Sequence, residues 1–304
     1  MDPCQIEEYK IYDVFYNGNI VLISPFIDPI LEIKYMGKVF SCNECSDNHT
    51  RIYFLESEYS ETIELQINGF NIKTRVNKYP EFKDEIIFST LVKDEDAYIL
   101  QWIDYYMKLG VNRFIIYDNS TNSTLAERLK PCIQDNIVVL IKWTYPYNLK
   151  AQHTQQNHSI YAFQNSKYIG LFDIDEYINI QDKSMNNINT FLEFIIKKHL
   201  INPDEISGFM FLNRFFYNPW RLPCENMDFF DICNCDEISE EGFEKSIVIP
   251  KNVKTFSIHV ATEGKETILL DKRYVYFNHY YFLNKENRGL NNTNLMDNSI
   301  LLTL

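Results

Sequence analysis

An α/β fold, with a buried sheet covered by helices on both faces behind a small β-rich segment, is what this sequence predicts. Three observations carry it. From about residue 86 the hydrophobic pattern alternates between short buried-strand runs and helical stretches. Before that point the apolar runs are short, partly alternating and punctuated by Gly and Asn, with no helical stretch. At 304 residues and 45% hydrophobic, the chain can bury a sizeable core and is far from disorder. The expected division is 1–84 as a small β-rich accessory domain and 85–304 as the principal domain, with residues 77–82 (NKYPEF) at the junction.

In the first part, residues 21–23 (VLI), 30–33 (ILEI), 51–55 (RIYFL) and 62–74 (TIELQINGFNIKT) read as strands of an antiparallel sheet or sandwich. Residues 85–92 (EIIFSTLV) then read as a strand bound for a buried sheet. Over 97–110, Ile99, Trp102, Ile103 and Tyr106 share one helical face and Gly110 supplies the stop. Residues 113–118 (RFIIYD) form a strand with an acid at its end. Thr124 and Glu127 have capping-box spacing for a short helix that Pro131 ends. A third strand spans 137–143 and a fourth 167–172, separated by a helix over 151–166 rich in Gln, His and Asn, whose apolar face is weak. Thr190 and Glu193 repeat the capping-box spacing ahead of a helix over 191–200. Residues 209–217 read as a strand and turn after which the rhythm breaks down, 218–243 as an acidic loop, and 245–250, 256–260 and 274–282 as later strands before a polar tail.

Net charge is −13, with 42 acidic against 29 basic residues, which argues against a nucleic-acid backbone binder. An acidic protein still binds a phosphorylated substrate if a metal neutralises the phosphates. The opening MDPCQIEEYK is unlike a signal peptide, and the aliphatic run 137–141 is too short to cross a bilayer. Seven cysteines give no disulfide framework. The expectation is a soluble protein without a transmembrane segment, cytoplasmic or associated with a virus or microbe. Cys42, Cys45 and His49 make half a zinc site and read more simply as surface thiols with a neighbour.

The chemistry concentrates in residues 170–180 (GLFDIDEYINI). In an extended segment Asp173 and Asp175 point to one side and Ile174 to the other. Ligands of open α/β sheets bind beyond the carboxyl ends of strands, where this cluster lies. Two carboxylates on one side repel unless a cation joins them, and hard oxygen ligands suit Mg2+ or Mn2+. The same letters also read as an acidic turn at a strand edge.

Around this cluster, residues 87–282 resemble glycosyltransferase family 92. The matching blocks are 91–120 (LVKDEDAYILQWIDYYMKLGVNRFIIYDNS), 172–178 (FDIDEYI), 245–250 (KSIVIP) followed by His259, and His279-Tyr280. The resemblance implies a GT-A-like, Rossmann-type mixed sheet and inverting, metal-dependent transfer of a hexose, galactose or glucose favoured, from a UDP-sugar to a glycan or glycoconjugate acceptor. Mn2+ is the implied ion, with Mg2+ second. Asp173 and Asp175 become the D-x-D pair at the ion and the donor diphosphate, with His259 as a third ligand and His279 in the pocket, or the two histidines reversed. Glu176 orients backbone or meets the acceptor. Asp118, Lys93 and Glu95 take the nucleotide side, although Lys93 and Glu95 also suit a simple helix start. For the catalytic base the acidic loop offers Glu225, Asp228, Asp231, Asp236 and Glu237, with Asp228 the choice, and each of them also reads as part of a solvated acidic loop. The family's Trp and Phe-Gly pair are missing around Asn213, Arg214 and Phe215, which places the difference from relatives at the acceptor side. The competing function is a non-catalytic carbohydrate-recognition protein on a degenerate transferase scaffold.

Overall fold

The computed structural model describes residues 1–26, 29–44, 49–94, 96–122, 124–217, 229–239, 242–280 and 295–303. Its centre is a seven-stranded mixed sheet in the order Val138–Lys142, Arg113–Asp118, Ile86–Val92, Tyr168–Leu171, Lys245–Val248, Ile206–Phe211, Glu266–Leu269. The first four strands are mutually parallel, and Lys245–Val248 runs against both of its neighbours. This is the α/β architecture the alternating pattern predicts. Gly170 stands opposite Phe88 in register, and a Cβ there would collide with the Phe88 ring. That glycine lets Phe88 pack with Trp102, Tyr106 and Phe172 in the main core.

The helix over Ile99–Lys108 buries Ile99, Trp102, Ile103 and Tyr106, the predicted face, and Tyr105 as well. Two expectations change. Pro131 does not end a helix but occupies the first turn of a second short one, Lys130–Gln134, where its missing N–H costs nothing. The helix expected from residue 191 begins at Ile188, and its cap is the Asn187 side chain, which accepts from the Thr190 N–H at 3.1 Å. The stretch read as a strand and turn holds two strands: Ile206–Phe211 belongs to the central sheet and Asn213–Phe216 to a second sheet. That second sheet has the order Glu176–Ile180, Val275–Tyr280, Asn213–Phe216, Asn234–Cys235, Leu295–Met296. Its first strand begins inside the acidic cluster, and the sequence reading did not anticipate it.

The N-terminal segment forms a five-stranded and a four-stranded sheet. Strand Asn19–Pro25 is buried on both faces. Ile20 and Leu22 join a core between the two sheets. Val21 and Ile23 join Ile87, Ile115, Trp143 and Ile160 of the α/β part. The strand period of two divides one continuous apolar run between two cores. Helix Ala151–Ala162 lies against this boundary with Gln155, Gln156, Asn157 and His158 buried. Its apolar face is weak because its buried side chains are hydrogen-bonded instead. Gln155 donates to Ser89 Oγ at 2.9 Å and Asn157 to the Phe256 carbonyl at 2.7 Å. Among the described residues no cysteine is in a disulfide, Cys45 lies outside them, and no helix is long and apolar enough to cross a membrane.

Candidate active site

The four parallel strands stand in the order third, second, first, fourth in the chain, so their direction of growth reverses between Ile86–Val92 and Tyr168–Leu171. Such a reversal opens a crevice at the carboxyl ends of the two strands. Lys93 follows the first strand and Asp173 the fourth.

Past Leu171 the chain turns, with the Glu176 N–H donating to the Asp173 carbonyl at 3.1 Å, and enters strand Glu176–Ile180. That strand pairs antiparallel with Val275–Tyr280, setting Glu176 directly opposite His279. Opposite residues of an antiparallel pair share a face. The outcome is that Asp175, Glu176 and His279 present ligand atoms within 4.8 Å of one another. His279 Nε2 lies 3.5 Å from Asp175 Oδ2, and His279 Nδ1 lies 3.7 Å from Glu176 Oε1. The side chains of Asp175 and His279 keep 17% and 12% exposure, whereas Glu176 keeps 1%.

Asp173 stands apart from this trio. Its Oδ1 accepts from Gln152 Nε2 at 3.0 Å and its Oδ2 from Lys245 Nζ at 2.6 Å, yet its side chain is 35% exposed. Lys245 opens strand Lys245–Val248, where Ser246 faces Leu171 in register, and its ammonium also lies 3.2 Å from Glu176 Oε2. Glu176 Oε2 in turn accepts from the Asp173 N–H at 2.8 Å. Burial pushes the Glu176 carboxyl up to about 7, against the pull of Lys245. Burial also opposes the Lys245 ammonium, but Asp173 and Glu176 outweigh it and hold Lys245 above the ordinary lysine value. His279 shows the same balance: burial lowers it, and the Asp175 carboxylate raises it further, for a net upward shift.

His259 lies outside the trio. Its Nδ1–H donates to the Glu244 carbonyl at 2.7 Å, and burial lowers its proton affinity. Asp118 ends strand Arg113–Asp118 almost fully buried, accepting from the Ser120 N–H at 3.0 Å and pairing with Lys142 at 2.9 Å. It borders a cleft of about 450 Å³ shared with Lys142, Leu140 and Ala126. Lys93 is exposed, its ammonium 5.1 Å from the centre of the Tyr147 ring. Tyr147 Oη donates to Gln152 Oε1 at 3.0 Å, which links Lys93 to Asp173 through two side chains. Glu95 and Asp228 lie outside the described residues. Sequence reasoning assigned no role to Gln152 or Lys245. For Lys245 a signal existed: a charged residue heading the apolar run 246–249, in one of the blocks that carry the resemblance.

An ion is tested against this geometry through the spacing and chemistry of the donors. Two ligands bound to one Mg2+-sized ion at right angles stand about 3 Å apart, close to the 3.5 Å between Asp175 and His279. One carboxylate and one imidazole suit Mn2+. A histidine that binds metal characteristically directs its other nitrogen to a carboxylate, and Glu176 lies on that side of His279, 3.7 Å away. The residues present fit a divalent ion.

The family model for glycosyltransferase family 92 matches residues 88–300. A glycosyltransferase family 92 protein of Ricinus communis is 22% identical over 213 residues, 65% of this chain and 35% of its own length. One of Arabidopsis thaliana is 26% identical over 113 residues, 37% of this chain and 19% of its own. The chain thus spans about a third or less of the length of these relatives. Among solved structures, S. aureus TarS 1–349 aligns with a TM-score of 0.41 at 10% identity, covering 64% of this chain and 60% of that one. With the family model matched over more than two thirds of its residues, the chain belongs to glycosyltransferase family 92.

Proposed function

We propose that the protein transfers a hexose, galactose or glucose, from a UDP-sugar to a hydroxyl of a glycan or glycoconjugate, with inversion and with a divalent ion, Mn2+ before Mg2+. The observation that carries this reading is the Asp175–His279 pair, 3.5 Å apart and partly open at the carboxyl edge of the switch point. Asp175 and His279 hold the ion, and Glu176 orients the imidazole from behind. When bound, the ion supplies positive charge beside the departing diphosphate.

Asp173, fixed through both oxygens by Gln152 and Lys245, accepts a hydrogen bond from a hydroxyl of the donor rather than binding the ion. Asp118 meets the nucleoside from the end of its strand, with Lys93 on the same side. Glu95 belongs with them in this reading. His259 lies near enough to Lys245 and Asp173 to feel their charges, and lines the pocket rather than the ion. The acceptor hydroxyl attacks opposite the diphosphate and gives its proton to a carboxylate. Asp228 is assigned that role because the acidic loop follows directly on strand Asn213–Phe216 of the sheet that carries His279.

The test is a screen of nucleotide sugars for Mn2+-dependent donor hydrolysis, paired with thermal stabilisation by UDP. Turnover that requires Mn2+ and disappears in Asp175→Ala supports the reading. Binding of free glycans with no response to any nucleotide sugar would support the recognition-protein alternative instead.

A further inference from the structure

Lys245 is the most deeply buried cation of the site, 2% exposed, with its ammonium 2.6 Å from Asp173 Oδ2 and 3.2 Å from Glu176 Oε2. Packing alone does not account for it. A methionine of similar length would fill the space without taking a charge out of water, and such replacements of buried ion pairs are often neutral or stabilising. The charge itself must serve something. Asp173 and Glu176 share the Lys245 ammonium, and Glu176 stands with Asp175 and His279, so three carboxylates line one crevice. Three carboxylates so close would draw in a free divalent cation, and would repel one another without one.

We infer that Lys245 is a resident counter-cation that keeps the empty site from capturing a free divalent ion, so that the ion is held tightly only together with the diphosphate of the donor. The inference rests on the ion site proposed above. In the empty protein the ammonium cancels one of the three negative charges and fixes Asp173 and Glu176 in the positions the donor needs. Asp175 and His279 then offer too little charge to hold the ion alone. The diphosphate brings the missing negative charge with it, and ion and nucleotide bind with strong positive coupling. Lys245 acts through Asp173, Glu176 and the local field, and is a positioning residue.

The experiment is calorimetric titration of Mn2+ alone, and of Mn2+ with saturating UDP, into wild type, Lys245→Met and Lys245→Arg. Wild type is expected to bind Mn2+ at least about tenfold more tightly with UDP than without. Lys245→Met is expected to bind Mn2+ alone roughly tenfold or more tighter than wild type, the size expected when a unit charge a few ångströms away is removed from a partly wet site. The coupling to UDP shrinks accordingly, and Lys245→Arg keeps the wild-type pattern. Should Lys245→Met unfold, Mn2+ alone is expected to restore its fold, and failure of millimolar Mn2+ to do so counts against the inference. Unchanged or weaker Mn2+ binding by folded Lys245→Met, with UDP-dependent binding intact in wild type, overturns the inference alone. Absence of Mn2+ binding by wild type even with UDP overturns the ion site and this inference together.

Discussion

Two clusters in this molecule pair buried carboxylates with a histidine, and they have opposite characters. At the boundary between the N-terminal sheets and the α/β part, Asp13 and His158 are fully buried, with His158 Nε2 at 2.9 Å from Asp13 Oδ2. The same oxygen accepts from Tyr79 Oη at 2.5 Å. Asp13 Oδ1 accepts from the Cys4 N–H at 2.6 Å, the Val14 N–H at 2.9 Å and Asn77 Nδ2 at 3.0 Å. Tyr117 Oη, 2.6 Å from His158 Nδ1, completes the set. One fully buried carboxylate is met by five donors, so its charge is satisfied in place. At the crevice, three carboxylates face one lysine and one histidine, and Asp173, Asp175 and His279 keep partial access to solvent. The first cluster has nothing left to bind, while the second has negative charge to spare. That contrast, rather than the mere presence of acids and histidine, separates a structural cluster from a candidate catalytic one.

The contrast breaks if the clusters respond alike to substitution. The largest effect is expected from Asp13→Ala, which strips five donors, His158 among them, of their partner. It should lower stability by about 3–5 kcal/mol, the range for breaking a buried pair, read from the denaturant midpoint. Next comes Asp175→Asn, expected to reduce Mn2+-dependent donor turnover about a hundredfold or more while moving the unfolding midpoint little. Comparable loss of stability in both variants would erase the distinction.

Tyr79→Phe sharpens the structural side. It removes one donor from Asp13 and should cost about 1.5–3 kcal/mol, typical of a hydrogen bond to a charged group, with UDP affinity unchanged in the folded protein. Gln152→Ala sharpens the other side with the smallest effect. Releasing Asp173 Oδ1 should weaken UDP binding a fewfold, at a stability cost of about 0.5 kcal/mol or less for this partly exposed position. A stability loss as large as that of Tyr79→Phe would make Gln152 part of the framework.

The difference also explains what the sequence could and could not reveal. Asp173, Asp175 and Glu176 were legible because acids at the end of an apolar run break a local pattern, and so was their place at the carboxyl end of a strand. That His279, and not His259, stands beside Asp175 and Glu176 was not legible. It depends on Glu176–Ile180 pairing with Val275–Tyr280 across about a hundred residues of chain, a register that no local pattern encodes. Lys245 reaches Asp173 by the same kind of long-range pairing. Helix Ala151–Ala162 looked weak because apolar periodicity registers burial only when burial is apolar, and here Gln152, Gln155, Asn157 and His158 are bonded instead. The helix starts failed more simply. Asn187 and Thr190 lie three residues apart, and either matches a cap until the backbone shows which side chain accepts.

The central claim is that Asp175 and His279 together hold a divalent ion against the donor diphosphate. Pulsed electron paramagnetic resonance of Mn2+ bound with UDP tests it most directly, because a ligating imidazole couples its nitrogen to the manganese spin. The expected result is one histidine nitrogen coupling in wild type and in His259→Gln, lost in His279→Gln. A coupling that survives His279→Gln, or that is missing from wild type while Mn2+ and UDP are bound, would contradict it.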